Sequence, residues 1–264
     1  MKTEIESKSL LARYGIATTR PRLATSAEEA EAAVTEAGRP CALKVVSPDI
    51  VHKVAAGGVR LSVTAGDAAA AFSSIMAACR QSNPNAAIDG VLIEEMVEPG
   101  LEVFIGARVD PHYGTVLLLG PGGSNVEQGQ RPAAALAPIT PRLAEELIDS
   151  AFPGAFDGKG RKSREVLTRY ILAIGGEDGL MMKEKVGELD VNPIIVNGAG
   201  AVAVDAVAGD LPSGMDARRM SDAELDAALD ARRARLGDFG ALFDPASIAF
   251  VGASTQKEKL GYRV

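Results

Sequence analysis

Apolar and polar positions switch period repeatedly along the chain, between the three-to-four spacing of an amphipathic helix and the alternation of a half-buried strand. Ile5, Leu10, Leu11 and Tyr14 give one apolar face, opened by a Thr3/Glu6 capping box and closed at Gly15. Ser26 and Glu29 form a second box before an Ala- and Glu-rich helix that Gly38 stops. Strands are predicted over 41–46 and 59–64, joined by a loop that runs to Gly58, and Asp67 caps a helix ending near Arg80. The stretches 91–97 and 102–109 read as a strand pair around Glu98-Pro99-Gly100. A strand over 115–119 enters the glycine loop Gly120-Pro121-Gly122-Gly123. Two helices follow, over 141–152 and 163–174, then two strands around Asn197-Gly198-Ala199-Gly200. The pattern predicts a mixed α/β (α+β) domain over 1–208.

After Ala208 the pattern changes. Residues 209–238 are polar, with Ser221 and Glu224 boxing an Asp- and Arg-rich helix of weak apolar face, and read as a linker helix. An apolar strand over 247–251 then turns through Gly252-Ala253-Ser254, the opening of a Rossmann-like unit of which 239–264 hold only the start.

Composition narrows the class. Of 264 residues, 47 % are hydrophobic and 24 % charged, which suits a soluble globular protein and excludes disordered and collagen-like chains. The apolar runs are too short to span a bilayer, and no basic-then-apolar leader opens the chain. Two cysteines, Cys41 and Cys79, make neither a disulfide framework nor a zinc site, so a cytoplasmic setting is expected. A net charge of -7 and the lack of Trp speak against nucleic acid as a partner. A homo-oligomer is compatible with all of this.

Chemistry enters at a few positions. Lys44 lies within the apolar 41–46 strand, where it faces either solvent or an anion. The following loop ends in Gly57-Gly58, whose backbone amides could cradle phosphate oxygens beside that lysine. His52 in the same loop is either an exposed histidine or a nucleophile at a phosphate site. His112, in a tight turn, reads as structural. Glu94 and Glu95 are adjacent on a strand and must face opposite sides. Pairing Val196 with Ala201 across the last hairpin sets Asn192 opposite Asp205, with Glu188 and Asp190 on the face of Asn192. Three carboxylates and an amide oxygen then share one sheet face, where a hard cation such as Mg²⁺ would relieve their repulsion. The alternative is that Glu188 and Asp190 point to water and Asp205 caps a turn.

Taken in order, these segments resemble the ATP-grasp domain of the NDP-forming acyl-CoA synthetases, the acetate–CoA ligase (ADP-forming) family. The stretches that carry the resemblance are Ser47-Pro48-Asp49 with His52-Lys53, Gly57-Gly58, Glu94 to Val97, Glu102, Gly122-Gly123 with Val126-Glu127, and Glu188-Leu189-Asp190-Val191-Asn192-Pro193 with Asp205. The resemblance implies two α+β subdomains clasping ATP or ADP. Lys44 would meet the phosphates and the Gly57-Gly58 loop would close over them. Glu94, Glu95, Met96 and Val97 would form the hinge strand at the adenine, and Glu102 would hold the ribose. Asn192 and Asp205 would be the Mg²⁺ ligands, and His52 would be the family's second histidine, which helps carry a phosphoryl group to the nucleotide, with the principal phosphohistidine expected in the CoA-ligase portion. The tail resembles the start of the family's CoA-binding domain, so a CoA-ligase segment or subunit is the expected partner, with CoA and a small carboxylate as substrates of the whole enzyme. The activity implied is an acid–thiol ligase. This chain departs from the family at Val54-Ala55-Ala56, where an acidic or hydroxyl residue is usual, and at Gly129-Gln130-Arg131-Pro132. Those departures admit a second function, a non-catalytic nucleotide-sensing module of the kind fused to protein acetyltransferases. A carbon–nitrogen ligase of the wider ATP-grasp group fits less well, since no such histidine loop is expected there.

Overall fold

The structure is a computed structural model, and it describes residues 1–50, 53–123, 132–218, 227 and 230. Two compact units divide the chain, Met1–Arg219 and Met220–Val264. His52, Val126-Glu127, the loop at 129–131, the Ser221/Glu224 helix and the 247–251 strand lie outside the described residues.

The first half of the first unit runs α1 (Glu4–Arg13), β1 (Arg22–Ala24), α2 (Ala27–Ala37), β2 (Cys41–Val46), β3 (Val59–Val63), α3 (Ala68–Ser82) and β4 (Gly90–Glu95). The second half adds β5 (Leu101–Asp110), β6 (Gly114–Pro121), β7 (Ala133–Leu136), α4 (Pro141–Ala151), α5 (Arg161–Gly175) and α6 (Leu180–Lys183). It ends in β8 (Val186–Asn197), β9 (Gly200–Ala203) and β10 (Ala206–Asp210). One sheet is ordered β1-β4-β2-β3, the other β10-β8-β5-β6-β7 with β9 also on β8. All their strand pairs are antiparallel, which is the α+β form of the expected class.

Each sheet has its own core. Val34, Phe72 and Ile75 from α2 and α3 pack on Leu43, Val45 and Ile93. Leu147, Ile148 and Ile171 from α4 and α5 pack on Ile105, Leu117 and Val191. Burying each such side chain contributes about 1.5–3 kcal/mol. Helix α1 joins the second core through Leu10 and Leu11. It is tied to the end of the domain as well, since Lys2 N–H donates to Ala208 O at 2.7 Å and Ala208 N–H to Ser7 Oγ at 3.1 Å.

Local signals set several boundaries. The Thr3 box forms in full: Glu6 N–H donates to Thr3 Oγ1 at 3.3 Å, and Thr3 N–H to Glu6 Oε2 at 2.8 Å. Ser26 Oγ accepts from Glu29 N–H, but the Glu29 carboxylate reaches back to Thr25 N–H instead of Ser26. Gly38 ends α2 with φ +65°. Asp67 makes no cap bond; its carboxylate accepts from Thr64 Oγ1. The last hairpin has the expected register, with Val196 opposite Ala201, but it turns on Gly198-Ala199 alone because Asn197 also pairs with Gly200.

Three expectations are corrected. The stretches 91–97 and 102–109 do not pair: β4 has both edges taken by β1 and β2, while β5 pairs β6 and β8, so 96–100 crosses from one sheet to the other. The apolar face of α1 is not Ile5-led. Ile5 is exposed, and Glu4, Ser7 and Lys8 take the buried stripe beside Leu11. Residues 209–218 belong to the first unit instead of a linker, because β10 continues to Asp210 and buried Ala217 O accepts from Thr115 N–H and Oγ1. Among the described residues no helix is long and apolar enough to cross a membrane.

Candidate functional site

Beside the segment that crosses between the sheets lies a cleft of about 780 Å³, lined by both. Of the residues singled out in the sequence, Lys44, Glu94, Glu95, Met96, Val97, Glu102 and Asp205 line it. Asn192, Gly57 and Gly58 do not.

The floor is a network of buried charge. Lys44 Nζ, on β2, donates to Glu4 Oε1 and Val204 O, both at 3.0 Å, and stands 2.6 Å from Glu94 Oε2. Lys8 Nζ donates to Glu4 Oε1 at 2.8 Å, to Thr19 Oγ1 at 2.9 Å and to Glu94 Oε1. Lys53 Nζ reaches Glu4 Oε2 at 2.7 Å. Burial pushes the Glu4 carboxyl up, but Lys44, Lys8 and Lys53 outweigh that and hold it well below the usual carboxylate range. For Lys44, burial favours the neutral amine, yet Glu4, Glu94 and Asp205 keep its ammonium protonated beyond the usual lysine range. Lys44 therefore faces anions, not solvent. As expected of neighbours on a strand, Glu94 points inward while Glu95 is exposed near Arg39.

Glu4 and Lys8 escaped the sequence reading. Their signal was present: polar residues at 4 and 8 occupy the same helical stripe as Leu11.

Gly57 and Gly58 serve the loop's own fold instead of cradling phosphate. Their amides donate to Val54 O at 3.0 Å and Lys53 O at 2.8 Å, and a Cβ on Gly58 would stand 2.4 Å from Val45 Cγ1. The loop residues that line the cleft are Lys53, Val54 and Ala55.

Behind Glu102, which lines the cleft, Gly123 sits at φ +64°, and its N–H donates to Asn192 Oδ1 at 2.8 Å. A Cβ there would lie 1.6 Å from Glu102 Oε2. Gly123→Ala is expected to cost about 1–2 kcal/mol for the left-handed backbone, read by urea unfolding. It is also expected to push the Glu102 carboxylate away and weaken ligand binding; unchanged affinity would remove Glu102 from the site.

Asn192 N–H donates to Asp205 O at 3.2 Å, so the two residues meet as expected. Glu188 and Asp190 line a different hollow, of about 1030 Å³, on the second sheet. Burial, then Asp205 and Glu188, raises the Asp190 carboxyl; burial and Glu4 raise that of Asp205, against the pull of the lysines. The Asp205 side chain accepts one hydrogen bond among the described residues, from Ala206 N–H. No cluster of three or more His, Cys, Asp or Glu side chains placed to hold a metal occurs among the described residues. These oxygen donors fit a hard divalent ion that brings most of its ligands from water and substrate phosphates.

The sequence matches the ATP-grasp domain family over residues 1–208. The chain belongs to the ATP-grasp family. It is 37 % identical over 208 residues to the β subunit of acetate–CoA ligase (ADP-forming) I of Pyrococcus furiosus, covering 77 % of this chain and 89 % of that one. It is 33 % identical over 271 residues to acetate–CoA ligase (ADP-forming) II of Archaeoglobus fulgidus, covering 99 % of this chain but 36 % of that protein. Structures of an acetyl-coenzyme A synthetase from Ca. Korarchaeum cryptofilum also superpose. With coenzyme A and Ca-AMPCP, the TM-score is 0.72 at 33 % identity, over 80 % of this chain and 93 % of that one. With coenzyme A and Mg-AMPPCP, its phosphohistidine segment pointing towards the nucleotide site, the score is 0.64 at 29 %, with the same coverage.

Met96 N–H is engaged by Pro40 O at 3.0 Å, whereas Val97 N–H has no protein acceptor among the described residues. His112 sits in the β5–β6 turn, where its N–H and that of Tyr113 donate to Asp110 Oδ1, and it takes no part in the cleft.

Proposed function

We propose that this chain is the nucleotide-binding part of an ADP-forming acyl-CoA synthetase: carboxylate, CoA and ATP give acyl-CoA, ADP and phosphate. The observation that carries the reading is the lysine–carboxylate floor of the hinge-side cleft, with Asp205 beside it. Lys44 and Lys53 neutralise phosphate charge there and orient it. Val97 N–H and the apolar side chains of Met96 and Ile195 receive the purine, and Glu102 receives the ribose. Asp205 and Asn192 hold Mg²⁺, which when bound neutralises phosphate oxygens. His52 accepts the phosphoryl group: a P–N bond forms as the P–O bond to ADP breaks.

A CoA-ligase portion completes the enzyme, either as a separate subunit, as the name of the Pyrococcus β subunit suggests, or in the same chain, as the longer Archaeoglobus protein suggests. The 239–264 tail is the start of that portion in this reading. Buried, unpaired Cys41 and Cys79 suit a reducing, cytoplasmic setting. The sensor reading is favoured by one observation, the apolar Val54 and Ala55 at the cleft where the family has a polar residue.

The test mixes the chain with a separately produced CoA-ligase portion, acetate, CoA and γ-labelled Mg-ATP. Acyl-CoA and ADP should form only with both components, and acid-labile, base-stable label should appear on the chain and vanish in His52→Ala. Binding of ATP without label or turnover would leave the sensor.

A further inference from the structure

Glu4 is buried and lines no part of the cleft, yet its two oxygens are shared among three lysines. Oε1 accepts from Lys8 at 2.8 Å and Lys44 at 3.0 Å, and Oε2 from Lys53 at 2.7 Å. The two cleft lysines are left in different states. Lys44 donates to Glu4 and Val204 O and is ion-paired with Glu94. Lys53 has one acceptor among the described residues, and its side chain is 24 % exposed against 9 % for Lys44. An arriving anion therefore meets Lys53 first, with two of its donors still open.

We propose that Glu4 is a positioning residue for the phosphate end of the site, an inference that rests on the nucleotide reading above. From beneath the floor its carboxylate clips Lys53 to the cleft and fixes Lys44 behind it. A lysine on a loop has four rotatable side-chain bonds, and ordering it only when ligand arrives weakens binding. The clip does that ordering beforehand. Because Glu4 lies behind the lysines and not in the cleft, a phosphate need not displace it. Within the ion-paired network three ammonium groups face Glu4 and Glu94, and Asp205 acts on Lys44 and Lys53 from beside it, so anion attraction rests on the open donors of Lys53 and not on an excess of charge. The lowered Glu4 carboxyl keeps the clip charged throughout the neutral range.

The effect is specific to phosphate and is read as a ratio. The full chain is titrated calorimetrically with ADP and with adenosine in EDTA, so that lysines alone meet the phosphates. Glu4→Gln is expected to lower the adenosine-to-ADP Kd ratio roughly tenfold, the weight of one charge-assisted contact, with adenosine affinity unchanged. In a Lys53→Met background the same change should lower it much less, since Glu4 acts through that lysine. Glu4→Asp keeps the charge but is too short to bridge both lysines, and it should lower the ratio about threefold; it provides the measurement should the Gln variant fail to fold. An unchanged ratio in folded variants would make Glu4 merely structural and overturn the clip alone. A raised ratio would make Glu4 a competitor of phosphate and would likewise overturn the clip alone. Wild type that binds neither ligand would overturn the nucleotide reading together with the clip.

Discussion

Replacing Lys8 with methionine is expected to lower the unfolding free energy by about 3–5 kcal/mol, the usual cost of stripping one partner from a buried ion pair. For a domain of this size that is a fall in Tm of roughly 6–20 °C. The side chains of Lys8, Glu4 and Glu94 are 2 %, 6 % and 1 % exposed, so water cannot replace the missing ammonium. Neutralising a second member, as in Lys8→Met/Glu94→Gln, should return part of the loss. The surface pair Arg22–Glu36 is the contrast: with side chains 53 % and 66 % exposed, Arg22→Ala should cost under about 1 kcal/mol. Acid should act on the same network. The folded-state carboxyl of Glu4 is depressed, so its contribution is complete above the ordinary value of 4.5 and fades as pH falls below it. A thermal scan in which Lys8→Met melts within about a degree of wild type would mean the network contributes nothing.

Asp205→Asn should move stability and function in opposite directions. The Asp205 carboxyl is raised, first by burial and then by Glu4, so its ionised form at neutral pH costs stability, and that cost shrinks as pH falls toward the raised value. The isosteric amide removes the charge, and Tm at pH 7 should rise. Binding of Mg-ATP should weaken at least roughly tenfold for the lost charge-assisted contact, and EDTA should no longer affect what binding is left. The assignment of Asp205 to the metal fails if the variant keeps the metal dependence of wild type.

Much of this site was legible because its information is local. Register follows from a hairpin, so Asn192 and Asp205 could be set opposite each other from the turn at Asn197 to Gly200. Alternation along β4 was enough to separate Glu94 from Glu95. What stayed hidden depends on partners far away in sequence. Nothing near Lys8 announces Glu94, 86 residues on. The edges of β4 are taken by β1 and β2, and β1 is a three-residue strand too short to carry a period; hence the mistaken pairing with β5. Gly57-Gly58 misled for a related reason. A glycine pair reports close backbone approach, but not to what; here the Gly58 Cβ position faces Val45 and the two amides bond within their own loop.

The tie between helix α1 and Ala208 bears on how the molecule is made. Residues 2 to 8 are synthesised about two hundred residues ahead of Ala208 and of the Val204 carbonyl that Lys44 holds. At roughly 5–20 residues per second, the interval is about 10–40 s. Through that time Lys8 and Glu4 have each other as helical neighbours, but the second sheet cannot close over them. Nucleotide can therefore stabilise the finished domain but cannot guide the growing one.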